Sequence, residues 1–241
     1  GLECYSSAKI NFTGTENLKL TNKGSYTFGS PTVEIQNAEN RVVTISGNFN
    51  FSELNGENIT MKSENGGIGI GKFTDVLTIN GDVLFFGKPS LEAAEVTVNG
   101  NVHQTSGTVK GLGQSSLTVN GNYVQSAGEL EVYNATLDIQ GNYEQKGGYW
   151  VASNAVVNIG GNYQMGYIDS KGNFTYESYS DAEIFENSVL NIGQNWYFYR
   201  SGDYSHLEDC TVNIAGTEFL YYFGLECYSS AKINFTGTEN L

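Results

Sequence analysis

The residues best suited to chemistry in this sequence are a pair of acids, a glycine-rich loop, two histidines and a few cysteines. Glu129 and Glu131 lie two apart, so on an extended strand both project from one face. Paired carboxylates can divide acid and base roles in sugar cleavage, although any charged solvent face has the same spacing. The stretch GGIGIGKF (66–73) has the spacing of a phosphate-binding loop, from Gly66 to Gly71 and Lys72. Phe73 stands where such a loop needs Ser or Thr, and the strand-like FTDVLTI follows where a helix should start, so the stretch reads as a glycine-rich turn. His103 and His206 lack the spaced His or Cys partners that zinc needs, and no serine-centred nucleophile motif occurs. Calcium-binding nonapeptides of the GGxGxD type are missing as well. These residues predict no enzyme, no cofactor and no metal site, and the weight of the sequence lies in what must position them.

The chain has 241 residues, 39% hydrophobic, with 30 Gly and 2 Pro, enough to bury a core. Charge is sparse and one-sided: 12 basic residues against 26 acidic ones give −14. That balance repels phosphate backbones and anionic bilayers, so nucleic acid is not an expected partner. No apolar run approaches the ~20 residues that span a bilayer as a helix, so membrane insertion is not expected either.

Residues 1–18, GLECYSSAKINFTGTENL, recur unchanged as residues 224–241. Long identity of this kind marks internal periodicity, which outranks other sequence signals. Residues 1–223 form one period, and 224–241 are the start of the next identical one. Cys4 and Cys227 then occupy one position in successive periods, which leaves that position and Cys210 as the cysteines of a period.

A finer repeat runs inside the period. LTINGDV (77–83), VTVNGNV (96–102), LTVNGNY (117–123), LDIQGNY (137–143) and VNIGGNY (157–163) share alternating apolar residues, a glycine and an amide or acid. Alternation predicts short strands bounded by turns, and no segment has helical periodicity. The pattern recurs about every twenty residues, predicting ten or eleven coils per period, each of three short strands. A unit this short cannot enclose a core alone, so the expected fold is all-β, a parallel β-helix or β-solenoid of stacked coils. The long, irregular coils with an asparagine corner favour the right-handed form over the left-handed one.

Stacking predicts columns. Directly after the pattern glycine stand Asn48, Asp82, Asn101, Asn122, Asn142, Asn162 and Asn195, an asparagine ladder whose amides bond between coils in a partly buried corner. The next column holds Tyr123, Tyr143, Tyr163 and Trp196, an aromatic stack, and two further on come Gln104, Gln125 and Gln145. Six before the glycine only small residues occur, among them Ser115, Ala135, Ala155, Ser188 and Cys210. Asn134, Asn154, Asn187 and Asp209 precede them, as expected where the backbone bends left-handed.

The element LTVNGNYVQSAGELEVYNATLDIQGNYEQKGG (117–148) resembles the β-solenoid repeats of large bacterial surface and secreted filamentous proteins, the haemagglutinin-like adhesins among them. The likeness is architectural and covers residues 94–165 best. It implies an extracellular or cell-surface rod used for display, adhesion or fibre building.

The expected function is therefore a structural repeat unit of an extracellular fibre or stalk, with identical units stacked end to end through continuous β-ladders. A carbohydrate-binding adhesin segment is the alternative, and a polysaccharide-degrading β-helix enzyme a more distant one. The tyrosine-rich and acidic stretch 166–187 lengthens one coil and should protrude, offering Tyr167, Tyr176 and Tyr179 for lateral self-association or for glycans. A disulfide between Cys210 and Cys227 is a candidate link across the junction, because an exported low-cysteine rod offers few other roles for two thiols.

Overall fold

The computed structural model describes residues 8–21, 32–35, 42–46, 53–55, 60–63, 76–79, 83–85, 90–91, 95–112, 115–175, 184–198, 205–221 and 225–237. Among them the fold is all-β, without a helix. Three parallel sheets run along the molecule, with 11, 10 and 7 strands. Each coil gives one strand to each sheet in turn, as in Glu95–Val98, Val102–Gln104 and Thr108–Leu112. The chain is a parallel β-solenoid. About five turns, from Glu95 to Glu208, are described with few breaks. This is fewer than the expected ten or eleven coils, because much of the chain before Glu95 lies outside the described residues.

Register is strict between Glu95 and Phe235. In the first sheet Val96, Leu117, Leu137, Val157, Leu190, Val212 and Ile233 are successive partners. A strand flips its side chains to the other face if it slips by one residue, so an unbroken apolar column fixes the pairing. Inward residues of all three sheets meet in one core, where Val119, Ile139, Trp150, Val157 and Leu207 are buried.

The corners follow from local chemistry. Asn134, Asn154, Asn187 and Asp209 take φ of 49°, 50°, 48° and 50°, the left-handed conformation that short polar side chains tolerate. Ser115, Ala135, Ala155, Ser188 and Cys210 then turn inward and are buried, which accounts for the small-residue column. The opposite corner depends on glycine. Gly128 and Gly148 have φ of 87° and 94°, and a Cβ on Gly148 would sit 2.3 Å from the Gly128 carbonyl oxygen. Successive coils touch backbone to backbone there.

The long coil departs from this scheme at Gly166. Tyr167–Ile168 and Phe174–Thr175 form a short antiparallel hairpin, and the chain rejoins the third sheet at Ile184–Glu186. Asp169 closes its turn by accepting the backbone N–H groups of Lys171 at 2.8 Å and Asn173 at 2.9 Å. Tyr167 is half-buried, with the Lys146 ammonium 6.0 Å from its ring centre. Tyr176 and Tyr179 lie outside the described residues.

Candidate functional site

The asparagine ladder is present: one amide-to-amide bond, from Asn122 Nδ2 to Asn101 Oδ1 at 3.3 Å, accompanies a series of side-chain-to-backbone bonds. The Oδ1 of Asn101 accepts the backbone N–H of Asn122 at 2.9 Å, that of Asn122 the N–H of Asn142 at 2.8 Å, and that of Asn142 the N–H of Asn162 at 2.8 Å. Asn162 serves Asn195 in the same way at 3.0 Å. Each side chain therefore holds the backbone of the coil above. The corner is more open than the partly buried one expected: Asn101, Asn122 and Asn142 are exposed, and Asn162 and Asn195 half-buried. Asn48 and Asp82 lie outside the described residues. The ladder changes at the end of the series, where Asn195 Oδ1 accepts two N–H groups, from Thr217 and Glu218, each at 3.0 Å.

The aromatic stack is also present. Tyr123, Tyr143, Tyr163 and Trp196 are buried one above another with ring centroids 5.5, 5.3 and 5.5 Å apart. Sequence reasoning did not find its other members. Trp150 enters from the third sheet 4.5 Å from Tyr143, and Phe185 follows 5.1 Å from Trp150. The alternation in YWVAS was the available signal, since it turns Trp150 to the same side as Ala152.

The glutamine column couples to this stack. Tyr123 Oη donates to Gln104 Oε1 at 2.8 Å, and Tyr143 Oη to Gln125 Oε1 at 2.5 Å. Gln125 Nε2 in turn donates to the carbonyls of Gly128 at 2.9 Å and Tyr149 at 3.1 Å. A buried amide thus ties one coil's glycine corner to the ring of the next coil, meeting the rule that buried polar groups are paired. Burial pushes the Tyr123 phenol well above its ordinary range. Where the column changes to Met165, the ring above is Trp196, which has no hydroxyl to place.

A second ladder, on the solvent face of the first sheet, was not anticipated. Asn191 Nδ2 donates to Asn158 Oδ1 at 2.8 Å, Asn213 to Asn191 at 2.8 Å, and Asn234 to Asn213 at 2.9 Å. The recurring triplets VNI, LNI and INF carried the signal.

The remaining candidates are scattered. Glu129 and Glu131 do share one face, because Leu130 and Val132 between and beside them turn inward. Thr108 Oγ1 donates to Glu129 at 2.8 Å. His103 contacts Ser126 Oγ at 2.9 Å, far along the chain from His206, which stacks on Tyr228 with centroids 4.6 Å apart. Cys210 and Cys227 are free thiols, so the candidate disulfide is not formed. Cys210 occupies the buried corner column and its Sγ donates to the Phe185 carbonyl at 2.8 Å. Cys227 pairs with Leu207 in the inward column of the third sheet, yet it is exposed. Stretch 66–73 lies outside the described residues.

The two copies of the repeated segment meet at opposite ends of the first sheet. Lys9–Phe12 pairs with Thr32–Ile35, and Lys232–Phe235, the same four residues one period later, pairs with Thr211–Ile214. One sequence therefore offers one edge to the coil that precedes it and the other edge to the coil that follows. The coil at 225–237 is the less covered. Phe235 is 40% exposed and Tyr228 44%, whereas Val212 and Ile214 in the preceding strand are fully buried. Asp209, one coil back, reaches this coil by accepting Ser230 Oγ at 2.7 Å, a bond that with the Ser230 N–H holds its carboxyl below the usual range.

The described residues define a parallel β-solenoid whose recurring features are columns of side chains. No family model, no curated protein and no solved structure matches the chain.

Proposed function

We propose that this chain is a structural repeat unit of an extracellular fibre or stalk, in which residues 1–223 form one period and 224–241 begin the next. Identical units stack end to end through continuous β-ladders, in a rod of the kind used by haemagglutinin-like adhesins. One observation carries the reading: the repeated segment pairs by one edge as Lys9–Phe12 and by the other as Lys232–Phe235. A single copy placed between Thr211–Ile214 and Thr32–Ile35 satisfies both pairings at once. An open edge strand is an aggregation hazard, and extending the sheet removes it.

The first sheet has eleven strands, of which the outermost two share a sequence. In this reading a period of ten coils, at ~4.8 Å between strands, rises about 48 Å. The right-handed form agrees with the strong preference for right-handed crossovers between parallel strands.

Cys227 supplies the test. Its column partner Leu207 is buried with a coil on each side, whereas among the described residues Cys227 has one on a single side. Partial desolvation by the one neighbouring coil raises its thiol above the ordinary value, so alkylation is best followed near pH ~9. In a chain of two full periods Cys227 becomes internal, and its alkylation should slow at least tenfold relative to the single-period chain. Equal rates in the two chains would refute continuous stacking.

A further inference from the structure

We propose that the outer face of the first sheet, between Asp138 and Lys232, binds the same face of a second copy lying antiparallel to the first, an inference that rests in part on the end-to-end reading above. Two columns point to solvent along this stretch. One is Val156, Val189 and Thr211, and the other is Asn158, Asn191 and Asn213, while the residues between them turn into the core. Val156 is 40% exposed. Asn191 and Asn213 each spend one amide proton and one oxygen lone pair on their ladder neighbours, which leaves one of each to offer outward.

Charge selects the occupant. The chain carries −14, so two copies repel wherever their acids meet. The outer face of the third sheet carries Glu129, Glu131, Glu186 and Glu208, and beside the second sheet Glu218 holds the Tyr197 hydroxyl. Among the described residues the outer face of the first sheet has no acid from Val156 to Asn234. Asp138 closes one end of this neutral stretch and Lys232 the other. A second copy also has the same strand spacing, so its columns meet these coil for coil.

The registers fix the polarity. A two-fold axis running along the Val189–Ile192 strand reverses the order of the coils and keeps each position along the strand. Val189 then faces Val189, Asn191 faces Asn191, Val156 faces Thr211 and Asn158 faces Asn213. Asp138 faces Asn234 and lies diagonal to Lys232, within reach of its long side chain. Parallel rods would reverse the strands instead, setting valine on asparagine and Asp138 on Thr136. The antiparallel pair joins like with like and matches the charge at each end.

The patch measures about 19 Å by about 13 Å, or about 250 Å², against about 800 Å² per partner in a stable complex. One period is therefore too small to pair. Three periods in one rod line up three such patches about 48 Å apart and approach the area required. The test compares chains of one and three periods by sedimentation velocity and electron microscopy at about 0.15 M salt. Single-period chains should stay monomeric, and three-period chains should pair side by side. Val189→Glu in every period sets carboxylate against carboxylate at the axis, and should weaken pairing at least about tenfold without shortening the rods. Asp138→Lys sets ammonium beside ammonium and should weaken it as well. Pairing indifferent to Val189→Glu, or full-length rods that stay single, would overturn the lateral interface and leave stacking standing. Chains that do not lengthen with added periods would bring down the end-to-end reading itself. Single rods that sediment with cellulose, and lose it on Val189→Glu, would assign the face to a neutral glycan and overturn the proposal.

Discussion

The buried glutamine column makes the sharpest energetic prediction. Gln125 is fully buried and makes three bonds, accepting from Tyr143 Oη at 2.5 Å and donating to the carbonyls of Gly128 and Tyr149. Gln125→Met keeps the volume and removes all three. The Gly128 carbonyl retains the N–H of Tyr149 at 2.8 Å, so the larger penalties fall on the other two groups. At about 1–2 kcal/mol for each stranded buried group, the substitution should cost about 2–4 kcal/mol. Tyr143→Phe removes one bond and should cost about 1–2 kcal/mol. The double substitution should cost no more than Gln125→Met alone, because the hydroxyl that Met would strand is gone. The chain itself contains this exchange, since Met165 lies beneath Trp196 where Gln145 lies beneath Tyr163. Stacked coils need not unfold as one cooperative unit, so the local readout is hydrogen exchange at Lys146, whose N–H donates to the Gln125 carbonyl at 2.8 Å. A double-mutant cycle should give a coupling of about 1–2 kcal/mol. Strictly additive costs would refute the coupled column.

Three further outcomes follow from the corners and the hairpin. Asn142→Ala removes the acceptor of the Asn162 N–H at an exposed site, so thermal melting should register only about 0.5–1.5 kcal/mol, and an unchanged melting curve would count against the ladder. Gly148→Ala forces a side chain into left-handed backbone and against the Gly128 oxygen, and should cost more than about 3 kcal/mol in chemical denaturation; a neutral result would mean the coils are not in backbone contact there. The third concerns pH. The Asn173 N–H, then its side-chain amide and the N–H of Lys171, hold the Asp169 carboxyl below its usual range. Because the folded value is the lower one, the turn's contribution is present above the unfolded value and lost as pH falls through the folded one. The Lys171 and Asn173 amide resonances should hold steady down to about pH 4 and shift below it, and a transition above that range would contradict the assignment.

Much of this architecture was legible because stacking turns three-dimensional contact into one-dimensional recurrence. Asn101, Asn122, Asn142 and Asn162 fall at the same place in successive coils, as do Tyr123, Tyr143 and Tyr163, so the columns could be read by counting from the glycines. The left-handed Asn134, Asn154, Asn187 and Asp209 were legible for the same reason, since one backbone geometry recurs with a limited residue choice. Direction of bonding was not. An asparagine in a column is compatible with bonding to amides or to backbone, and the backbone N–H of the next coil prevails because it would otherwise lack a partner at the corner. Trp150 escaped notice because its column changes residue at every coil, from Leu130 to Trp150, and recurrence carries no signal there. The exposure of Cys227 was likewise hidden. Its register with Leu207 turns it inward, yet it is exposed where Leu207 is fully buried.

The central claim is that successive periods form one uninterrupted rod. Electron microscopy of chains carrying one, two and three periods tests it most directly. The account predicts straight rods of constant width that lengthen by about 48 Å with each added period. Separate particles joined like beads, or a length that does not grow in equal steps, would contradict it.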